Sequence, residues 1–291
     1  MRRHGVEMAL SANADLAESP VWDPETMSLW WVDIFRGEVH RFEPSTGKDD
    51  EFRLNGPVGS LALCASGGLL VALKDGIYGY VPGGVPQPIA RPELERRTNR
   101  FNDGRTDRRG RFWVGSLHLD ETAPTGAFYR LDPDGRCTRQ ADGIYASNGT
   151  AFSPDGRVGF HADSQARIVW RFEIDPDTGA LRNRRPHIAL PPRSGAPDGA
   201  IVDDDGCYWL THANGWRIVR YDPRGNVDRV IQLPVAIPTS AAFGGRDGRT
   251  LFITTARYSL SPESLRIQPL AGSILAIDVG VGGMPDSKFA G

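Results

Sequence analysis

Glu18, Asn102, Asn148 and Asp198 hold corresponding places in four copies of one repeated segment. Each opens a short apolar stretch, and five residues later each copy has a polar turn residue: Asp23, Asp107, Ser153 and Asp203. Brought together, two carboxylates and two carboxamides would form an all-oxygen ligand set. In a partly dry channel the carboxylates would repel each other and lose hydration, and a divalent cation would remove that cost. Such donors suit a hard or borderline ion. Ca2+ is the expectation, with Mg2+, Mn2+, Zn2+ and Fe2+ as alternatives, although no His or Cys occupies the position. The same residues also suit turn capping, since Asn-Gly and Asp-Gly are common turn pairs. Both readings stand at this level.

The repeated segment is what must position these residues. Clear copies run over 18–42, 102–131, 148–172 and 198–221. Weaker ones run over 59–80 and over 239–256 with 272–278. In the weaker copies Gly59 and Thr239 take the column position. Each copy has an apolar segment, a turn, an aromatic-rich strand, a loop, and an alternating strand such as Trp216-Arg217-Ile218-Val219-Arg220-Tyr221. Asp-Gly at 155–156 and 247–248 and Arg-Gly at 109–110 mark tight hairpins. Six copies at roughly 40–50-residue spacing, each with three or four strands, predict an all-β chain. The architecture expected is a six-bladed β-propeller with a central metal site, as one domain over 1–291. Two packed β-sandwiches are the alternative, but the in-phase order of strand, turn and aromatic strand favours the propeller. The first strand of each blade lines the channel of a propeller, so equivalent positions meet near its axis. Residues before 18 are expected to supply the closing strand of the last blade. The segment 91–97 is the one helix candidate, weakened by its Pro and its length. Trp22, Trp30, Trp31, Trp113, Trp170 and Trp209 read as inter-blade core, and Cys64, Cys137 and Cys207 as buried small apolar residues.

Composition narrows the function. With 34 Lys and Arg against 36 Asp and Glu, the net charge is −2, so there is no basic field for nucleic acid or an anionic membrane. No apolar run reaches the roughly 20 residues that span a bilayer. The N-terminus begins basic but has no apolar stretch after it, so no secretory leader is expected. Three cysteines, far apart, fit neither a disulfide framework nor a Cys-based zinc finger, and they suit a reducing cytoplasm. No Gly-x-Ser-x-Gly motif is present, which disfavours a serine-nucleophile esterase.

Five stretches carry a family resemblance: LAESPVWD (16–23), NRFNDGRTDRRGRFWVGS (99–116), SNGTAFSPDG (147–156), APDGAIVDDDGCYWL (196–210) and TTARYSLSPESL (254–265). In order and at this spacing, they resemble the gluconolactonase/regucalcin (senescence-marker protein) family of six-bladed propellers, most of all bacterial sugar-acid lactonases. The resemblance runs from about residue 15 to about 278. It implies that Glu18, Asn148 and Asp198 ligate the metal and that Asn102 lies beside it. It further implies that Arg100 binds substrate oxygens and that Glu121 sits on a loop over the pocket. The implied ligands coincide with the column read from the repeats.

The expected activity is metal-dependent hydrolysis of a small sugar lactone to an aldonate, with Asp198 as general base and Asn102 and Arg100 orienting the ring. No obligate protein partner is expected. The alternatives are hydrolysis of another ester or an organophosphate on the same metal, or a non-catalytic calcium-binding propeller. His118, His161 and His212 fall near the ends of aromatic strands, and a solvated or packed role is favoured over substrate contact for each.

Overall fold

The turn residues set the local structure. Asp107 accepts the N–H groups of Arg109 and Arg111, at 2.8 and 3.1 Å, and the indole N–H of Trp113 at 2.9 Å. Asp203 does the same for Asp205, Cys207 and Trp209. A carboxylate at the turn therefore closes the hairpin and anchors the aromatic of the next strand. Between such turns the chain forms short antiparallel strands. A computed structural model describes residues 5–291.

The strands form six four-stranded antiparallel sheets. Their innermost strands are Ala17–Asp23, Ser60–Leu63, Asn99–Thr106, Ser147–Phe152, Ala196–Val202 and Pro238–Gly244, which define blades 1 to 6. Five blades take their strands in chain order. In blade 6 the outermost strand is Glu7–Leu10, paired with Ile274–Asp278 through Glu7↔Ala276 and Met8↔Leu275. The residues before 18 thus close the ring and cover an edge that would otherwise invite pairing.

The core lies between blades. Six apolar clusters each join one neighbouring pair, from blades 1 and 2 through to blades 6 and 1. Trp31, Trp113 and Trp209 are fully buried there. Truncating one of them to Ala should cost about 3–5 kcal/mol. Trp22 and Trp30 are buried as expected. Trp170 is not: it is half-buried on the third strand of blade 4, under the guanidinium of Arg184 at 4.3 Å. Trp170 shares a strand face with Phe172 and Ile174, which lie in the core between blades 3 and 4, but sits nearer the strand end, where Arg184 covers it. Cys207 is buried, whereas Cys64 and Cys137 are only partly so.

Residues 91–97 form turns, not a helix. Glu93 is fully buried there, accepting from Asn99 at 2.9 Å, Ser116 at 3.0 Å and Tyr129 at 2.7 Å, so tertiary contacts shape the segment. Among the described residues the one helix is Pro262–Ile267. Its Ser261 N-cap accepts from Ser264 N and is followed by Pro at N1, a start signal the sequence carries in Ser-Pro-Glu-Ser. No helix among these residues is long and apolar enough to cross a membrane.

Candidate active site

Each column residue sits where its inner strand is interrupted. One extra residue breaks the ladder between Glu18 and Val21, Phe101 and Gly104, Asn148 and Ala151, Pro197 and Ala200, and Pro238 and Ala241. Such a bulge re-aims the side chain beside it. In blade 4 it contains Gly149 at φ +61°, and in blade 1 Ser19 at φ +48°. Blade 2 has no such bulge and supplies no side chain: a Cβ on Gly59 would lie 2.4 Å from the carbonyl oxygen of Phe101. Thr239 is buried and turned away, donating to Ala17 O and pairing with Thr254 Oγ1 at 2.8 Å. It ties blade 6 to the residue preceding Glu18.

The four remaining positions converge. Glu18, Asn102, Asn148 and Asp198 line one cavity of about 210 Å3, which Arg100 and Glu121 also line. A chain of hydrogen bonds runs around it. Arg100 Nη1 donates to Asn102 Oδ1 at 2.6 Å, and Asn102 Nδ2 donates to Asn148 Oδ1 at 2.9 Å. Asn148 Nδ2 donates to Ser164 Oγ at 2.7 Å, and Ser164 donates to Pro197 O at 2.6 Å, just before Asp198. This chain fixes both carboxamides and leaves Asn148 Oδ1 one further lone pair. Glu121 takes a left-handed φ of +54° on the loop after the second strand of blade 3, and its Oε2 accepts from Gln165 at 2.7 Å.

The carboxylates are poorly compensated. Among the described residues the one hydrogen bond to the Glu18 carboxylate comes from Ser19 N at 2.7 Å, and none reaches the Asp198 carboxylate. Burial, then the nearby charge of Asp103, pushes Glu18 up to about 8. Burial and the Glu18 charge hold Asp198 well above the usual carboxylate range. Burial lowers Arg100. Two acids disfavoured as anions, with free oxygens facing a small cavity beside an amide oxygen, are the donor set a divalent cation would match.

None of the three histidines lines the cavity. His161 is buried against Phe128 and pairs with Ser147 Oγ at 2.7 Å. His212 lies between Ser194 O and Tyr221 Oη, at 2.8 and 3.1 Å. His118 sits on the rim, accepting from Asp120 N at 3.3 Å. The pocket residues come just after them. Loops joining the second and third strands of blades 1, 3, 4, 5 and 6 supply Ile34, Glu121, Gln165, Asn214 and Tyr258. The recurrence of polar residues two to four places beyond each histidine was the available signal.

Two other features compete for attention. A depression of about 640 Å3 around Arg109, Arg111 and Arg130 is larger, but it is open and its charges are matched, Arg111 by Asp107 and Arg130 by Asp132. Glu38, His40 and Glu51 gather on the outer strands of blade 1. There Arg53 already pairs with both glutamates, at 3.0 and 2.6 Å, and Asp49 pairs with His40 Nδ1 at 2.8 Å. The axial cavity is the site whose charges lack partners.

A six-bladed propeller with an acidic, amide-lined pocket at one end of its axis defines the class of protein. The chain belongs to the SMP-30/gluconolactonase/LRE-like family, whose model matches residues 16–257. It is 38% identical over 277 residues to the 6-deoxy-6-sulfogluconolactonase of Pseudomonas putida, covering 95% of each chain. It is 35% identical to the regucalcin of Oryctolagus cuniculus, covering 98% of each. Among solved structures, the regucalcin of Agrobacterium tumefaciens, described as a calcium-binding protein, superposes with a TM-score of 0.94 at 26% identity. That match covers 98% of this chain and 97% of the other.

Proposed function

We propose that this protein hydrolyses sugar-acid lactones to aldonates, with one divalent cation held by Glu18, Asn148 and Asp198. The observation that carries the reading is the pair of uncompensated carboxylates in a small cavity beside the Arg100–Asn102 donor pair. The lactonase names among the relatives support the same class of reaction. When bound, the cation would supply Lewis-acid polarisation of the lactone carbonyl and lower the pKa of a water.

The chain's own residues do the rest. Asp198 has no competing hydrogen bond among the described residues, so it can accept the proton of the attacking water. The water oxygen bonds to the carbonyl carbon, the ring C–O bond breaks, and Asp198 returns the proton to the departing ring oxygen. Arg100 presents a planar donor fork to ring or hydroxyl oxygens. Asn102, held by Arg100 and bound to Asn148, keeps both in register. Glu121 and Gln165 offer paired polar groups to substrate hydroxyls at the mouth. The cavity is smaller than the about 300–1,000 Å3 typical of drug-sized ligands, which suits a single ring.

Charge in the cavity favours an uncharged ring. Three carboxylates line it, from Glu18, Glu121 and Asp198, against the single cation of Arg100. With a divalent ion added, no strong excess of positive charge remains to recruit a sulfonate. The test is a chelated protein, with Ca2+, Mn2+, Mg2+, Zn2+ or Fe2+ restored singly, assayed by acid release from gluconolactone, pentonolactones, 6-sulfogluconolactone, valerolactone and a phosphotriester. Cation-dependent turnover of the uncharged aldonolactones, far faster than the others, is expected. Preference for valerolactone or the phosphotriester would overturn the sugar assignment. Cation binding without turnover of any substrate would identify a binding propeller instead.

A further inference from the structure

The segment after the last strand crosses the end of the propeller opposite the pocket. It touches the turns that follow the inner strands. Asp204 N donates to Gly282 O at 2.9 Å, Gly283 N to Gly248 O at 3.1 Å, and Ala290 N to Gly110 O at 3.0 Å. Phe289 N donates to Leu63 O at 2.7 Å, and its ring is buried in the cluster between blades 2 and 3. Lys288 pairs with Glu25 at 2.7 Å. The segment therefore spans turns of five blades and floors the channel.

One of its side chains enters the channel. Asp286 pairs with Arg105, and both side chains are more than nine-tenths buried. Arg105 stands three residues along the inner strand from Asn102, on the far side of the bulge. Its Nε donates to Thr150 O at 3.1 Å and its Nη2 to Ala241 O at 3.3 Å. The N–H of the same residue is taken too: Thr150 N donates to Asp103 Oδ2 at 2.7 Å. Asp103 and Arg105, both from blade 3, thus grip blade 4 two residues beyond Asn148. Arg105 also reaches blade 6. Without Asp286 the guanidinium would be a buried cation lacking its carboxylate, directly beneath a site built for another cation.

We propose that Asp286 is a positioning residue for the pocket: through Arg105 it holds the inner strands of blades 3, 4 and 6 in the arrangement that presents Asn148 and the acidic ligands. The C-terminal segment is then part of the site's scaffold and not only a cover. The effect on cation affinity rests on the reading given under Proposed function, whereas the effect on backbone order at Thr150 does not.

The test compares four proteins by amide exchange of residues 147–152, by Mn2+ titration of the full chain and by Tm. Asp286→Asn should lose at least tenfold in protection at the Thr150 amide and at least tenfold in Mn2+ affinity, and Asp286→Glu should recover most of both. Phe289→Ala, in the same segment but away from Arg105, should lower Tm while leaving both within about twofold of wild type. Arg105→Met combined with Asp286→Leu removes both charges of the buried pair, but because it strands Thr150 O, Ala241 O and the Asp103 carboxylate its Tm should fall, to about that of Phe289→Ala. The double variant should still lose the Thr150 protection and the Mn2+ affinity, which separates positioning from stability should Asp286→Asn not fold. Unchanged Thr150 protection in the double variant, or losses in Phe289→Ala as large as in Asp286→Asn, would overturn the proposal. Should the wild type bind no divalent ion, the cation reading falls, and the exchange comparison alone decides the role of Asp286.

Discussion

Glu18 offers the sharpest test, because without a cation its burial should make it a liability. The side chain is almost wholly inaccessible, with the residue 5% exposed, and its carboxyl is pushed from 4.5 up to about 8. Between those values the folded protein holds a proton that the unfolded chain has released. Stability is therefore fully present below about pH 4.5 and falls as pH rises through the window to about 8. At about 1.4 kcal/mol per pH unit, the stretch from pH 5 to pH 7 removes about 2–3 kcal/mol. Glu18→Gln keeps the shape and removes the titration. Urea unfolding of chelated wild type and chelated Glu18→Gln at pH 5 and pH 7 gives four free energies. Taking the difference between proteins cancels the groups remote from the cavity and leaves the titration of Glu18 together with its effect on Asp198, so the slope belongs to that pair. Wild type should lose about 2–3 kcal/mol more than the variant. A saturating divalent cation should flatten the wild-type slope, because a bound ion keeps the carboxylate ionised. Equal pH dependence in the two chelated proteins would refute the argument that Glu18 and Asp198 form an uncompensated pair of buried acids.

Other outcomes are equally open to measurement. Asp198→Ala should lose stoichiometric cation by elemental analysis and lower turnover by about 10³-fold or more; a variant that retains one ion per chain would remove Asp198 from the ligand set. Arg100→Ala should reduce kcat/KM for an aldonolactone by about 10²-fold while leaving the cation in place; loss of the ion together with the activity would contradict a substrate-orienting role. His161 is pushed down to about 3 by burial, so it stays neutral while the unfolded chain gains a proton below about pH 6.5. Stability should therefore fall with pH, by about 2–3 kcal/mol at pH 4.5 relative to pH 7.5, and by much less in His161→Gln; denaturant midpoints of the two proteins at both pH values decide it.

Much of this architecture was legible in the residues. The in-phase recurrence of turn carboxylate and aromatic strand specified hairpins, and their number specified blades. Asp107 and Asp203 show why: one side chain closes the turn and binds the indole of the next strand, a local interaction within six residues. The column at Glu18, Asn102, Asn148 and Asp198 was legible for the same reason, since it is a fixed distance from each turn. What period and spacing could not supply was any feature made by residues distant in the chain. The segment 91–97 has helical composition, yet Glu93 is captured by Asn99, Ser116 and Tyr129. Trp170 stands on a third strand, whereas Trp31, Trp113 and Trp209 stand on second strands nearer the axis, and only the sheet order shows that difference in depth.

The amino-acid sequence by itself therefore determined the hairpins, their repetition and the chemical type of the residue opening each inner strand, because these depend on side chains acting within a few positions of themselves. Tertiary structure alone decided which of those residues line the axial cavity. The bulges aim four of them inward, Gly59 leaves its place to the blade 3 backbone, and Thr239 turns away to bind Ala17. Tertiary structure also decided the electrostatics, because charges such as Glu18 and Asp198, 180 residues apart, interact only once the ring is closed. Likewise Asp286 meets Arg105 only because the last segment runs back beneath the channel, a contact that no local pattern encodes.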